Sequence, residues 1–514
     1  MKRIFSIVLI ISMLAAILAG CASDGDHVSD TKNPSSGNLA DTTEASDNIT
    51  TYLEPMDPAL TELDFGEEEF IILTRASGED ENNPQKWADQ AGAAEIYADE
   101  LTNDPINDAI YNCTQRVNEL LGIRLREIQV SSDKVNDEVS VAIGSGDDSY
   151  DLVATSVIDG TPMVKQGYMY NLYDNGIDTY LDPSKPWWAQ YWIEQAELGE
   201  ERLYSITGAP CLSLNRFIFV TYYNKDLGTD LGVEDLYTVV NEGRWTLDYI
   251  SELIPSVYLS LDGDDVRDEE DRYGLAMNHY ECCDIFWSSC DLSLLSKDED
   301  GWFEANSGQR EKLSTVFDKV YALLYDNVGT YDFIDSAGFE PASEMFASGN
   351  ILLAFLHLSY AEKPSLRNMQ DEYGILPSPK YDETQKEYFS YAHDQYSVMM
   401  VPNTVADPGR SGAVMEALAY ESYKEVQPVY YDKVLKGRYA NDPQSRQMLD
   451  TITQNIKIDA SWIYGRDLGM PAASVMRDLL YGKSTSFASE YTKVQKMLPL
   501  FLKLFRAEIE KLDV

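Results

Sequence analysis

The stretch SGDDSYDLV, residues 145–153, decides the fold. Gly144-Ser145-Gly146 breaks a helical pattern over residues 134–143, because glycine is unfavourable in a helix. From Tyr150 to Val157 the chain is rich in apolar residues, which is typical of a buried strand. The stretch therefore predicts the junction between a helix and an interior strand.

The same alternation of strand and helix precedes this stretch. Residues 70–74 form a short apolar run that suits a buried strand. Asp104 is a candidate N-cap, Pro105 takes the first helical position, and Gly122 ends the helix. Residues 123–130 follow as a second strand candidate. Strand, helix, strand, helix and strand in this order predict an α/β fold with a parallel sheet.

The predicted sheet has a candidate binding edge. Ligands of open α/β sheets lie beyond the carboxyl ends of the strands. Thr74 and Arg75 end the first predicted strand, and residues 155–159 end the third. We therefore expect these residues to face a ligand.

A second lobe is predicted to begin at the β-rich run of residues 217–223. Helical spacing predicts helices over residues 311–326, 411–423 and 492–512, and Pro499 should start a new helix or kink the last one. The globular part is too long for a single hydrophobic core, so two lobes are expected. Because no linker separates them, they are expected to interleave.

The first residues are typical of an export signal. Lys2 and Arg3 precede an apolar run over residues 4–18, which is too short for a membrane-spanning helix. Small residues followed directly by Cys21 resemble the bacterial lipobox, so residues 1–20 are predicted to be removed and Cys21 acylated. The lipid would hold the chain on the extracytoplasmic side of the cell membrane. Residues 22–62 are polar and aperiodic, which predicts a disordered tether.

The charge of the chain limits its partners. The net charge is −47, from 87 acidic and 40 basic residues, which disfavours nucleic-acid binding and opposes anionic solutes. The acidic loop 262–271 does not fit a calcium loop well, because Tyr258 and Ser260 fall where the first carboxylates should be. A solvated turn is the favoured interpretation, and no metal or cofactor is expected.

Five cysteines follow Cys21, and an odd number cannot pair completely within one chain. Their spacing does not suit a zinc site. A bridge from Cys290 to Cys282 or Cys283 and a set of reduced core thiols are both left open.

Five blocks of the sequence occur together in a fixed order. They are residues 145–153 with Gly167 behind them, the run that ends Tyr223-Asn224-Lys225, Gly243-Arg244-Trp245-Thr246, Phe346-Ala347-Ser348-Gly349-Asn350, and Tyr373-Gly374-Ile375-Leu376-Pro377 with Pro379-Lys380. In this order they resemble the extracellular solute-binding protein family 1, which includes the maltose-binding proteins.

The resemblance implies a periplasmic-binding-protein-like fold of type II, with two interleaved α/β lobes around a hinged ligand cleft. Lobe 1 would comprise residues 63–212 and 358–410, and lobe 2 residues 213–357 and 411–514. The implied crossings between the lobes lie near residues 212–220, 353–358 and 402–413.

The resemblance also implies a function. The chain would be the solute-binding subunit of an ABC import system, a monomer that captures a carbohydrate or oligosaccharide and delivers it to permease subunits. No catalytic residue, cofactor or metal is implied. Together with the sheet edge, local matching gives the candidate ligand-binding residues Thr74, Arg75, Thr155, Ser156, Asp159, Arg216, Asn278, His279, Tyr280, Trp287, His357 and Tyr360.

Several of these residues have an ordinary structural alternative. Asp159 and Arg216 can each bind a pair of hydroxyl groups, but an ion pair is equally compatible with them. Core packing is favoured for Trp287, and single histidines are more often hydrogen-bonded residues than ligands. The tryptophan and acidic residues that hold maltodextrins in the family are replaced here by Thr155 and Ser359 among others, so maltose itself is not implied.

Two other functions compete with a sugar receptor. The first is a receptor for a non-sugar solute such as a peptide. The second is a surface lipoprotein glycoside hydrolase, which needs two carboxylates at a fixed separation. The G-x-S-x-G, H-E-x-x-H and G-x-x-x-x-G-K-[ST] signatures do not occur, so an enzyme is disfavoured.

Overall fold

The computed structural model describes residues 55–76, 95–264, 266–333, 339–436 and 443–513. Cys21, the predicted export signal and most of the predicted tether lie outside these residues. The end of that tether differs from the prediction, because Asp57 caps a short 3-10 turn at Pro58–Glu62 and Leu60 is fully buried. Within the described residues, no helix is both long and apolar enough to cross a membrane.

The strands fall into two main sheets and a small hairpin. They are β1 (Glu68–Arg75), β2 (Ile123–Val130), β3 (Leu152–Ser156), β4 (Phe219–Asn224), β5 (Tyr273–Met277), β6 (Leu295–Lys297), β7 (Phe303–Ala305), β8 (Thr330–Asp332), β9 (Ile351–His357), β10 (Tyr373–Leu376) and β11 (Ser397–Met400).

The described residues also form α-helices, which pack on the sheets and on one another. They are α1 (Pro105–Leu121), α2 (Val135–Ser145), α3 (Val157–Lys165), α4 (Gln190–Ala196), α5 (Ser213–Arg216), α6 (Lys225–Asp230), α7 (Leu236–Asn241), α8 (Leu247–Leu253), α9 (Ile285–Ser289), α10 (Arg310–Tyr321), α11 (Glu340–Ala347), α12 (Pro364–Arg367), α13 (Pro408–Glu421), α14 (Gln427–Lys436), α15 (Pro443–Gln454), α16 (Ala460–Ile463), α17 (Pro471–Val475), α18 (Arg477–Tyr481) and α19 (Phe487–Ile509).

The first sheet has the order β11-β3-β1-β2. β1 runs parallel to both β2 and β3, as the sequence predicts, and β11 adds an antiparallel edge. The helix between β1 and β2 is also confirmed in detail. The Asp104 side chain accepts hydrogen bonds from the N–H groups of Ile106 and Asn107, and Gly122 ends α1 with a φ of 60°.

The second sheet has the order β10-β4-β9-β5-β8. β4 lies antiparallel to its two neighbours, while β9, β5 and β8 run parallel. All five residues of β5 and all seven of β9 are buried, which is expected for the interior of a sheet covered on both faces.

Two chain segments connect the sheets, and they lie side by side. The first leads into β4 and the second leads from β10 to β11. Ile218 pairs with Ala392, and the His393 N–H donates to the Phe217 carbonyl at 3.0 Å. The Ser397 N–H donates to Ser213 Oγ at 2.8 Å. A paired connection of this kind is a hinge on which two lobes can move.

The positions of two elements differ from the implied lobe boundaries. β10 lies in the range implied for lobe 1, but it pairs with β4 in the second sheet. α13 lies in the range implied for lobe 2, but it packs against α1 of the first, and Arg116 is paired with Glu421 at 2.5 Å. The chain therefore returns to the first sheet between β10 and β11 rather than near residues 353–358, and it is still packed on that sheet's helices after the exit implied near residues 402–413.

The C-terminal helix begins earlier than its sequence pattern suggests. α19 starts at Phe487 and continues through Pro499 without ending there. Pro499 is exposed, so water can bind the carbonyl group that its missing N–H leaves without a partner.

The five cysteines that the structure describes are reduced core residues. Cys113, Cys211, Cys282, Cys283 and Cys290 are all free and buried. Of the two alternatives that the sequence leaves open, the bridge from Cys290 is not formed.

Gly274 gives a direct test of packing in the second sheet. A Cβ atom at Gly274 would lie 2.4 Å from the Ile254 Cβ and 2.6 Å from the Ile254 carbonyl oxygen. Gly274→Ala is therefore expected to lower the free energy of unfolding by about 2–3 kcal/mol in urea titrations. The matched control is Gly144→Ala on α2, where a Cβ meets nothing within 4 Å. It should stabilise the protein by up to about 1 kcal/mol, and equal effects of the two changes would contradict this packing.

Candidate ligand-binding cleft

A cleft of about 490 Å³ lies where the two sheets and the connecting segment meet. The first lobe contributes residues that follow β2 and β3, and the second contributes residues that follow β5. Its lining consists of Ser132, Asp133, Asn136, Ile158, Asp159, Tyr280, Glu281, His393, Asp394, Gln395, Arg466 and Arg477. The cleft thus lies at the carboxyl ends of parallel strands, where the sequence predicts a binding edge.

Arg477 is held in place by both charge and aromatic packing. Its guanidinium donates to the Asp284 carboxylate at 2.9 Å and lies 4.8 Å from the Tyr280 ring centroid and 5.1 Å from that of Trp462. Asp284 is 1% exposed, and burial raises the pKa of its carboxyl to about 7 although Arg477 opposes the shift. Nε of Arg477 is buried without a hydrogen-bond partner.

On the opposite wall, the start of α3 presents a carboxylate. Asp159 accepts a hydrogen bond from Ser156 Oγ at 2.6 Å and is paired with Arg466 at 2.7 Å. Ser156 is buried, and its hydrogen bond fixes the Asp159 side chain from the protein interior. Arg466, on the other side of Asp159, is half exposed. The pair spans from the first sheet to the C-terminal region of the chain.

The connecting segment forms the floor of the cleft. His393 lies with Nε2 3.7 Å from Glu281 and Nδ1 3.6 Å from Asp394. Burial lowers the pKa of His393, which favours the neutral imidazole between these two carboxylates. Gln395 is held from behind by Arg75, which donates to its carbonyl group and to its side-chain oxygen.

Two of the candidate residues line the cleft and three others support it. Asp159 and Tyr280 belong to the lining. Ser156 hydrogen-bonds to Asp159, and Arg75 hydrogen-bonds to Gln395. Burial lowers the pKa of Arg75, against the opposing effect of nearby acids. Asn278 Oδ1 accepts from the Tyr280 N–H at 3.1 Å and so fixes the turn after β5.

Other candidate residues make contacts within the protein. Thr74 donates to Glu127 at 2.8 Å. His279 Nδ1 lies 2.7 Å from Asp332 at the end of the neighbouring strand β8. Thr155 is fully buried in β3.

Four candidate residues lie in the core. Arg216 is 6% exposed and is paired with Glu362 at 3.2 Å, which is the ion-pair alternative stated for it. Trp287 is fully buried against Trp462, at 6.3 Å between ring centroids. His357 and Tyr360 are fully buried among aromatic rings.

Sequence reasoning missed the residues that complete the lining. Arg466 and Arg477 come from the C-terminal region, far along the chain from Asp159 and Tyr280. Asp394 and Gln395 adjoin His393 on the segment that leads from β10 to β11. Among the described residues, no cluster of His, Cys, Asp and Glu is suited to hold a metal ion.

No protein-family model matches the chain, and no curated protein matches it. Solved structures do match. The galacto-N-biose/lacto-N-biose I-binding protein of Bifidobacterium longum, in complex with lacto-N-biose, superposes with a TM-score of 0.53 at 11% identity, over 86% of this chain and 98% of that one. The fold is that of ABC-transporter solute-binding proteins.

Two further solute-binding structures show the same fold. An ABC substrate-binding protein of Listeria monocytogenes, in complex with cycloalternan, has a TM-score of 0.51 at 14% identity, over 87% of this chain and 98% of that one. UgpB of Mycobacterium tuberculosis, in complex with glycerophosphocholine, has a TM-score of 0.51 at 14% identity, over 80% of this chain and 99% of that one.

Proposed function

We propose that the chain is the extracytoplasmic solute-binding subunit of an ABC import system and that it binds a carbohydrate. The observation that carries this proposal is the cleft, because its lining joins residues of both lobes to the segment that connects them. A ligand there contacts both lobes at once, so its binding free energy favours the state in which they close. Permease subunits then recognise the closed form.

The known ligands of proteins with this fold support a small polar solute. The neighbours described above hold lacto-N-biose, cycloalternan and glycerophosphocholine. The lining here is also polar, with carboxylates, an amide and guanidinium groups that can bind hydroxyl groups. We further propose that the subunit is a monomer, anchored to the membrane through an acylated Cys21, and that it is not an enzyme.

The charged residues that line the cleft limit the class of solute that it can bind. The lining contains the carboxylates of Asp133, Asp159, Glu281 and Asp394 but only two guanidinium groups. Arg466 is paired with Asp159 and Arg477 with Asp284, so neither cation is left uncompensated. A neutral or positively charged saccharide therefore fits the cleft better than an acidic one.

A panel of solutes tests the proposal. The chain from residue 22, which lacks the predicted signal and acylated cysteine, is heated with neutral, amino and acidic oligosaccharides and with short peptides. A neutral or amino saccharide at about a hundred times its Kd should stabilise the folded state by about 2.7 kcal/mol, seen as a higher Tm. Chromatography should recover the saccharide intact.

Two substitutions make the test specific to the cleft. Tyr280→Ala removes a lining ring and should weaken binding about tenfold, while Tyr191→Ala removes a ring that is 45% exposed on α4 and should leave Kd unchanged. Consumption of the saccharide would show a hydrolase instead. Stabilisation by peptides alone would assign the cleft to a non-sugar solute.

A further inference from the structure

The C-terminal helix α19 has a local charge opposite to that of the whole chain. Residues 491–507 contain no Asp or Glu, but they contain Lys493, Lys496, Lys503 and Arg506. The chain as a whole has 87 acidic residues against 40 basic ones. A positive segment on so acidic a protein is a local feature of the surface rather than a consequence of composition.

The three lysines share one exposed side of the helix with large apolar residues. Met497, Leu500 and Leu504 are 42%, 49% and 52% exposed. Lys493, Lys496 and Lys503 are also exposed, at spacings of three, four and seven residues from these apolar residues. We call these six residues the lysine–leucine face.

The other sides of α19 pack against the rest of the protein. Tyr491, Val494, Leu498, Leu502 and Phe505 are buried against the protein. Arg506 is paired with Glu510 at 2.8 Å and lies over the Trp302 ring, so it belongs to internal packing. Lys493 is paired with Glu490 at 2.9 Å, but among the described residues no carboxylate forms an ion pair with Lys496 or Lys503.

We propose that the lysine–leucine face binds an anionic lipid surface. An exposed helix side that combines lysines with large apolar side chains is the pattern of helices that lie in the plane of a membrane interface. Lysines near an anionic surface attract its headgroups, while the apolar side chains between them enter the acyl boundary. The face would fix the orientation of the receptor on its membrane, which a flexible lipid tether cannot do.

The acidity of the rest of the chain does not prevent this contact. At physiological ionic strength, charges more than about 8 Å from a surface are largely screened. The charges that decide binding are therefore those on the helix side that approaches the membrane, and these are positive on this face. Binding should consequently weaken as salt is raised.

Vesicle binding tests the proposal with the chain from residue 22, which carries no lipid of its own. Sedimentation should show binding to phosphatidylglycerol vesicles and little binding to phosphatidylcholine vesicles. Lys496→Glu with Lys503→Glu should lower the partition coefficient at least about 25-fold, since each lysine near the surface contributes about fivefold. The matched control, Arg367→Glu with Lys386→Glu, changes the net charge equally at exposed sites elsewhere and should have little effect.

A fluorescent label reports the orientation. The five cysteines after Cys21 are buried, so a new surface cysteine can be labelled selectively. An environment-sensitive dye at Leu500→Cys should shift to the blue on anionic vesicles, while the same dye at Val141→Cys, which is 70% exposed on α2, should not. Equal binding to both vesicle types, or equal shifts at both labels, would overturn the proposal. So would a dimer that the lysine substitutions dissociate without any vesicle binding, because the face would then belong to a second copy.

Discussion

Arg477→Met is expected to lower the free energy of unfolding by about 3–5 kcal/mol. The substitution leaves the Asp284 carboxylate, which is 1% exposed, without the guanidinium that lies 2.9 Å away. A charge buried without a partner is far more costly than the pair itself. Urea unfolding followed by tryptophan fluorescence measures the effect.

The double variant Arg477→Met with Asp284→Leu tests whether the lost stability comes from the unpaired Asp284 charge. Because both charges are gone, most of the lost stability should return. The control Arg466→Met breaks an ion pair whose arginine is 49% exposed and should cost no more than about 1 kcal/mol. A double variant that is no more stable than Arg477→Met would contradict the account of this pair.

The pH dependence of the single variant has a definite sign. Burial already raises the pKa of Asp284 from 3.8 to about 7 in the presence of Arg477. Loss of the cation raises this pKa further, so the folded state binds more protons than the unfolded state above pH 3.8. Stability should then fall as pH rises above 3.8 in both proteins, and the fall should level off near pH 7 for the wild-type protein but continue to higher pH for Arg477→Met.

Glu416→Ala is expected to cost about 3 kcal/mol of unfolding free energy. The Glu416 side chain accepts hydrogen bonds from Nε1 of both Trp187 and Trp188 at 3.0 Å, and it accepts from the Asp182 N–H at 3.3 Å. The residue is 2% exposed, so alanine leaves two buried indole N–H groups without an acceptor and a cavity between them. Glu416→Gln retains one acceptor and should cost about 1 kcal/mol.

The same carboxyl gives a second pH test. Burial raises the pKa of Glu416 from 4.5 to about 7, so the folded state binds its proton more tightly than the unfolded state. Its contribution to stability is fully present below pH 4.5 and is lost as pH rises toward 7, by up to about 3 kcal/mol. The free energy of unfolding, measured by denaturation at several pH values across this range, should depend less on pH for Glu416→Gln. The exposed control Glu119→Gln should leave the slope unchanged, and an unchanged slope for both would contradict a buried Glu416 carboxyl.

The parts of the fold that sequence predicts well are those set by neighbours along the chain. α1 follows from Asp104, Pro105 and Gly122, which act within a few residues of the backbone groups that they cap. β1 and β3 follow from short apolar runs, and β2 follows from its place between two predicted helices. Pro499 shows the limit of such rules, because an exposed proline in a helix anchored by buried side chains does not end it.

The candidate site is less predictable, because its residues are brought together by tertiary packing. Asp159 lies at a predicted strand end, and Tyr280 is indicated by local matching to the family that the sequence resembles. Arg477 is more than three hundred residues from Asp159 along the chain, so no local pattern can join them. Arg216 stands at a crossing, yet only the fold reveals that Glu362 lies within 3.2 Å of it.

Small-angle X-ray scattering, with and without the saccharide that raises Tm, tests the central claim most directly. Two lobes joined by paired connecting segments should close over a solute bound in the cleft between them, which reduces the radius of gyration. The account predicts this reduction at saturating saccharide, with the saccharide recovered unchanged, and it predicts that Tyr280→Ala needs about ten times more saccharide for the same reduction. A radius of gyration that stays constant while the saccharide binds, or a saccharide that is cleaved, would contradict a closing solute-binding receptor.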